Sequence, residues 1–206
     1  MRRYCDPAGQ EALRGMIAGR RQGVHLLDCG DYHYLTKLIT DSVPEPFDLL
    51  LFDHHPDMQE PAFEGVLSCG GWVRDMLLEN PSLQHVTIVG INPALLVETE
   101  GFGERVRVFP EGDTVVRDGR TLPLYVSVDK DVFCTCAAVT NWDQGSLTLP
   151  AFTDIMSLLA GGRRVIGADI CGGMSFAEGG TAGDCALNAQ TDKYLAELLM
   201  SWIPKD

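Results

Sequence analysis

The sequence alternates between short apolar runs and amphipathic helical patterns, and this order constrains the fold more than any other feature. Six runs are rich in β-branched residues and lack the polar alternation of a half-exposed strand, which predicts strands buried on both faces. They occupy residues 24–27, 49–52, 86–91, 106–109, 124–128 and 165–168. Apolar residues at helical spacing occur over 9–21, 72–77, 152–159 and 187–202. The pattern predicts an α/β fold of three layers, α-β-α, with a mostly parallel open sheet.

The 206 residues fit a single domain over 1–206, since the sequence contains no internal repeat and no linker. One segment departs from the α/β pattern: Asp118-Gly119 lies between apolar pairs in residues 115–122, which predicts a tight hairpin at a sheet edge. Seven cysteines form no secreted pattern and are expected to be reduced thiols. Cys134 and Cys136 lack the second pair of a typical zinc site.

The charge of the chain limits its partners. Lys and Arg number 16 against 29 Asp and Glu, and the net charge of −13 would repel a phosphate backbone. No apolar stretch approaches the roughly 20 residues that cross a bilayer, and the first residues lack the apolar core of a secretory signal. We therefore expect a cytoplasmic protein that binds a small molecule rather than nucleic acid or a membrane. The sequence leaves open whether it forms a homo-oligomer.

Acidic and histidine residues follow directly after the apolar runs. Carboxyl ends of parallel strands meet at one edge of a sheet, so these polar clusters are expected to lie together. Side chains alternate in an extended chain, which puts Asp53, His55 and Asp57 on one side and pairs Asp129 with Asp131. The fourth cluster follows residues 165–168 and begins at Asp169.

Carboxylates gathered in one crevice repel each other and lose hydration unless cations neutralise them. Carboxylate oxygens with two imidazoles suit Mn²⁺, Fe²⁺ or Zn²⁺ better than Ca²⁺. Six ligands exceed the needs of one tetrahedral zinc ion, so the sequence predicts two divalent metals on the order of 3.5–4 Å apart that share carboxylates and an activated water. Taken alone, His33 could be a hydrogen-bonded loop histidine and residues 53–57 a surface turn, but their joint placement on successive strand ends favours metal binding.

Three of these segments resemble motifs of the ureohydrolase branch of the arginase and histone-deacetylase superfamily. Residues 30–33, Gly-Asp-Tyr-His, resemble the family's Gly-Asp-His stretch with one residue inserted. Residues 53–57 resemble its Asp-Ala-His-x-Asp motif, and residues 127–131 resemble its Ser-x-Asp-x-Asp motif. The resemblance implies an arginase-like fold and two metal ions, most often Mn²⁺. The ligands that it implies are His33, Asp53, His55, Asp57, Asp129 and Asp131. It also implies hydrolysis of a guanidino, formimino, amidine or acylated-amine C–N bond by a metal-bridging hydroxide.

The resemblance further implies a second role for Asp57, which would ligate metal and relay the proton of the attacking water. The family's following His-Gly is replaced by Ser68-Cys69-Gly70, which makes Cys69 the candidate substitute for the lost histidine. The other interpretation of Cys69 is a small residue that opens the next helix. The family's guanidinium-binding glutamate after the last strand is replaced by Gly172-Gly173, with Glu178 or Asp184 as distant alternatives. Lys130 is expected to point away from the metals.

Two other functions remain open at this stage. The triplet Asp53-His54-His55 matches the signature of a manganese phosphoesterase family, although the other motifs of that family are absent from the sequence. A non-catalytic protein that keeps the metal centre but has lost turnover would fit the missing histidine and glutamate. Metal content and hydrolysis assays would separate these alternatives.

Overall fold

A computed structural model describes residues 2–19, 22–117 and 119–204. The strands are β1 (Tyr4–Cys5), β2 (Val24–Leu26), β3 (Phe47–Phe52), β4 (Leu67–Ser68), β5 (Leu83–Ile91), β6 (Val106–Pro110), β7 (Leu124–Asp129) and β8 (Val165–Cys171). Six of them form one sheet in the order β2-β8-β7-β3-β5-β6, and every neighbouring pair is parallel. The six predicted apolar runs are these six strands. The remaining two, β1 and β4, pair with each other in antiparallel orientation.

Five α-helices connect the strands. They are α1 (Pro7–Ile17), α2 (Leu35–Thr40), α3 (Trp72–Glu79), α4 (Leu149–Ala160) and α5 (Ala182–Trp202). Side-chain oxygens cap three of their N-termini: Asp6 on α1, Thr148 on α4 and Thr181 on α5. Helix α5 ends two residues before Pro204, which cannot continue a helix. None of these helices is long and apolar enough to span a membrane.

The core lies in two layers, one on each face of the sheet. Leu49 and Leu51 of β3 pack in one layer with α2 and α3, whereas Leu50 and Phe52 pack in the other with α4 and α5. Alternate residues of a strand point to opposite faces, so β3 is buried on both sides. This arrangement confirms the predicted three-layer α-β-α architecture.

Several sequence predictions need correction. The described parts of residues 115–122 contain no strand, so the predicted hairpin is wrong, and its turn residue Asp118 lies outside the described residues. Helix α1 spans Pro7–Ile17 rather than residues 9–21, and Arg20 and Arg21 lie outside the described residues. The sequence analysis missed α2.

The expectation of seven reduced thiols is wrong for one pair. Cys134 and Cys136 form a disulfide bond, because a turn brings their Cα atoms to 5.2 Å, within the range that a disulfide spans. The other five cysteines form no disulfide.

Candidate metal centre

The ends of β3 and β7 bring five of the six predicted ligands to one place. The two strands are neighbours, and Phe52 lies opposite Val128 in their register, so Asp53 and Asp129 emerge side by side. His55 and Asp57 continue the chain after β3, and Asp131 lies in a short 3-10 turn, Lys130–Val132, after β7. His33 belongs to the segment that follows the edge strand β2, and it comes directly after the 3-10 turn Gly30–Tyr32.

One group of possible ligands surrounds His33. Its Nδ1 lies 3.1 Å from Asp57 Oδ2, 3.2 Å from Asp53 Oδ2 and 3.5 Å from Asp129 Oδ2. These side chains are almost wholly buried. Asp57 adopts a left-handed backbone conformation, with φ of 50°, and its Oδ2 accepts a hydrogen bond from Trp72 Nε1 at 2.5 Å.

A second group surrounds His55. Its Nδ1 lies 2.9 Å from Asp131 Oδ2 and 3.6 Å from Asp53 Oδ1. Asp53 therefore belongs to both groups, with one carboxylate oxygen near each histidine. The ligand atoms within His33–Asp53–Asp57 and within Asp53–His55–Asp131 lie within 4.8 Å of one another. A carboxylate in this position can bridge two metal ions.

A buried hydrogen-bond chain fixes the orientation of His33. Its Nε2 lies 2.8 Å from Ser127 Oγ, and that hydroxyl donates to Asp169 Oδ1 at 2.6 Å. With the Ser127 proton committed to Asp169, Ser127 accepts from His33 Nε2–H, which leaves Nδ1 to face the carboxylates. Outer partners of this kind set the tautomer of metal-binding histidines.

The charged groups of the centre perturb one another strongly. Burial and then the charge of Asp53 raise the pKa of Asp57 to about 7. Burial would lower the pKa of His55, but its contacts with Asp131 and Asp53 outweigh burial and raise the pKa to about 11. Burial and the neighbouring Asp129 likewise raise the pKa of Asp131 well above its ordinary value. The centre therefore favours added positive charge, whether from protons or from metal ions.

The residues present fit a pair of divalent cations. Asp53 Oδ2 is buried and makes no hydrogen bond within the described chain, although His33 Nδ1 lies 3.2 Å away. Such an orphaned oxygen beside an imidazole nitrogen is a ready metal ligand, because a buried carboxylate oxygen otherwise costs free energy. The donor set of oxygens and imidazole nitrogens suits Mn²⁺, Fe²⁺ or Zn²⁺.

A cavity of about 140 Å³ opens onto the metal centre, and four residues of its wall were not found by sequence analysis. They are Arg3, Gln59, Glu98 and Trp142. None of them follows an apolar run or belongs to a recognisable motif. Trp142 touches the centre directly, with its ring 5.7 Å from that of His55. One Glu98 oxygen, Oε2, is buried without a hydrogen-bond partner in the described chain.

Cys69 also lines this cavity. Burial, followed by the charge of Asp57, raises the pKa of its thiol to about 12. The thiol is therefore protonated at neutral pH, which argues against a thiolate nucleophile at this position.

Other polar residues of the motifs lie elsewhere. Lys130 points away from the metal centre as expected, with its Nζ 2.6 Å from Asp192. The ring of His54 also turns away, its Nδ1 3.1 Å from the carbonyl oxygen of Gly90. Glu178 and Asp184 cap helical turns at Ser175 and Thr181, and neither lines the cavity.

Comparisons with known proteins relate the fold of this chain to known structures. The sequence matches no protein-family profile. An uncharacterized protein of Thermotoga maritima is 31% identical over 153 residues, which cover 73% of this chain and 58% of that protein.

Two solved structures show the same fold. Arginase from Medicago truncatula aligns over 96% of this chain and 66% of its own, with a TM-score of 0.71 and 16% identity. Proclavaminate amidino hydrolase from Streptomyces clavuligerus aligns over 94% of this chain and 68% of its own, with a TM-score of 0.68 and 20% identity. The chain thus has the arginase-type α/β fold and spans about two thirds of the length of these two proteins.

Proposed function

We propose that this chain with an arginase-type fold is a hydrolase of non-peptide C–N bonds that works with two divalent metal ions, most favourably Mn²⁺. One observation carries the proposal: two groups of ligands share Asp53, with its Oδ2 beside His33 and its Oδ1 beside His55. A single-ion site would not need a carboxylate with each oxygen in a different group.

Six residues would hold the metals. His33, Asp57 and Asp129 would bind one ion, since Asp129 Oδ2 lies 3.5 Å from His33 Nδ1. His55 and Asp131 would bind the other, and Asp53 belongs to both groups. When bound, the two ions would supply a water of lowered pKa and positive charge for the tetrahedral transition state.

The protein's own groups would orient the substrate and move the proton. Asp57 lines the cavity, and its Oδ2 accepts a hydrogen bond from Trp72 Nε1. Its other oxygen, Oδ1, would therefore accept the proton of the attacking water. Cys69 would act as a neutral S–H group of the cavity wall, because its pKa is too high for a proton shuttle.

The test is direct. Purified protein is stripped with a chelator, reloaded with Mn²⁺, and assayed for metal content and for release of urea, ammonia or formamide. The substrates are guanidino, formimino and acylated amines, with a phosphodiester as control. We expect two ions per chain and C–N hydrolysis that the chelator abolishes.

Each alternative has its own result. Two bound ions without hydrolysis of any C–N substrate would indicate a non-catalytic metal protein, as the replacement of the usual glutamate by Gly172-Gly173 would allow. Phosphodiester cleavage alone would favour the phosphoesterase. The position of His54 argues against that function, since the middle residue of the Asp-His-His triplet turns away from the metal centre.

A further inference from the structure

The disulfide between Cys134 and Cys136 lies at the surface and encloses a single residue. Cys136 is exposed to solvent, whereas Cys134 is half-buried and packs against the core layer that contains Phe133 and Ala137. Exposed disulfides are the labile ones, because reduction requires a thiolate to reach one of the two sulfurs. The bond is therefore open to attack, and Cys136 is the sulfur that an incoming thiol meets first.

A disulfide of this span contributes little to holding the fold together. It stabilises mainly by restricting the unfolded chain, and that restriction grows with the number of residues enclosed. The segment is also fixed without it, since Cys134 N–H donates to the Leu147 carbonyl at 2.9 Å and Ala137 N–H donates to the Cys134 carbonyl at 2.8 Å. The Thr191 hydroxyl of α5 donates to the Ala137 carbonyl. These hydrogen bonds would keep the two thiols side by side after reduction, ready to form the bond again.

The N-terminus of helix α4 borders the same groove as the disulfide. This groove has a volume of about 340 Å³, and its wall includes Cys134, Cys136 and the start of α4 at Thr148, Leu149 and Pro150. A helix N-terminus carries partial positive charge, which stabilises a nearby thiolate. Among the described residues of the wall there is no Asp or Glu to oppose this effect. The surroundings therefore favour a cysteine that leaves the disulfide as a thiolate.

We propose that Cys134 and Cys136 form a site of thiol–disulfide exchange whose co-reactant is a thiol. The incoming thiolate attacks Cys136 Sγ, the bond between the two cysteine sulfurs breaks, and Cys134 Sγ leaves with the electron pair and takes a proton from water. A second thiolate then attacks the co-reactant sulfur of the mixed disulfide, which releases Cys136 as a thiolate that is protonated in turn. The chain thus gains two electrons and two protons, and the two thiols become one disulfide. An external disulfide reverses the same steps.

The first experiment follows the redox state of the native wild-type chain. The protein is equilibrated with graded ratios of reduced to oxidised glutathione, its free thiols are trapped with iodoacetamide, and the labelled cysteines are mapped by mass spectrometry. We expect Cys134 and Cys136 to become labelled together in one transition, with an unchanged far-ultraviolet circular dichroism spectrum. No glutathione adduct should accumulate, because the neighbouring thiol displaces it.

Three results of this experiment would overturn the inference. The first is a disulfide that resists reduction until the protein is unfolded. The second is a pair of thiols that stays reduced in oxidised glutathione. The third is a lasting glutathione adduct on the wild-type chain, since Cys134 would then not act as the partner thiol of Cys136.

Single variants test which sulfur is attacked. In Cys134→Ser, Cys136 should form a mixed disulfide with oxidised glutathione roughly tenfold faster than Cys134 does in Cys136→Ser, because Cys136 is more accessible. Cys185→Ser is the matched control, since Cys185 is a half-buried cysteine outside the pair, and it should keep the wild-type transition. Equal rates in the first two variants would contradict the assigned order of attack. The inference does not rest on the proposed function, because neither cysteine of the pair lines the cavity over the candidate metal centre.

Discussion

Ser127→Ala tests whether the hydrogen-bond chain behind His33 prepares a metal ligand. The change removes one buried oxygen that accepts from His33 Nε2 at 2.8 Å and donates to Asp169 Oδ1 at 2.6 Å. Both partners lose a hydrogen bond in a site that water does not reach, since His33 and Asp169 are at most 1% exposed. Each unsatisfied group costs about 1–3 kcal/mol, so we expect the free energy of unfolding to fall by about 2–6 kcal/mol. In a domain of this size that loss lowers Tm by roughly 4–24 °C.

The effect on metal binding is the sharper result. An outer partner of a histidine ligand typically contributes about 10–100-fold in metal affinity, because it fixes the tautomer and the ring orientation. Calorimetric titration with Mn²⁺ measures the affinity, and thermal denaturation with chelator measures stability without metal. Ser68→Ala is the control, since Ser68 lines the same cavity. A Ser127→Ala protein that is less stable but binds Mn²⁺ with unchanged affinity would refute the reasoning, because His33 would then not be an oriented ligand.

Three further outcomes follow from the geometry. Asp53→Asn should remove both ions, because both ligand groups contain Asp53; metal analysis that still finds two ions per chain would contradict a shared carboxylate. Gly172→Ala should weaken Mn²⁺ binding and lower Tm, because the added Cβ would lie 2.3 Å from Asp129 Oδ1. Gly179→Ala is the control: Gly179 has a similar positive φ but open space around it, so this change should cost only the backbone strain. Equal Mn²⁺ affinity in the two glycine variants would contradict a clash between a Cβ at position 172 and Asp129. In chelator, Tm should fall as pH rises from about 4 to 7: the folded pKa of Asp57 is raised to about 7, so its contribution is complete below the unfolded value of 3.8 and is lost as pH rises through 7. With Mn²⁺ the metal-dependent gain in Tm should grow over the same pH range, since metal ions and protons compete for the same carboxylates and histidines. A gain that shrinks as pH rises would contradict this competition.

The sheet was predictable because its strands are buried on both faces. Residues of β3 such as Leu50 and Leu51 pack into different layers, so the sequence reads as a continuous apolar run rather than an alternating one. Helix α2 escaped detection for a related reason. Five of its six residues are buried, and they include Thr36 and Lys37, so the segment has no polar face from which helical periodicity can be recognised.

The meeting of the candidate ligands at one sheet edge was predictable from the sequence, whereas the rest of the cavity was not. Asp53 and Asp129 follow strands, and the rule that parallel strands end at one edge brings them together without knowledge of the loops. Arg3 and Trp142 come from segments far apart in sequence, and only the folded chain shows that one stacks on the other. Glu98 lies in a 3-10 turn after β5, where a single acidic residue is indistinguishable from a solvated one.

The candidate metal centre depends on few elements of the fold. Asp53 and Asp129 leave the adjacent strands β3 and β7 in the middle of the sheet, so no edge element is needed to place them. His33 follows the edge strand β2, and β8 lies between β2 and β7. The chain that leaves β8 therefore passes beside Asp129 and must leave room for its side chain. Gly172 does so, since any side chain there would collide with Asp129 Oδ1 and the backbone of Lys130. A glutamate at this position would collide with Asp129, a proposed metal ligand, so under the proposed function a substrate-binding carboxylate would have to come from elsewhere. Glu98, after β5, is the acidic residue of the cavity that lies outside the candidate metal centre.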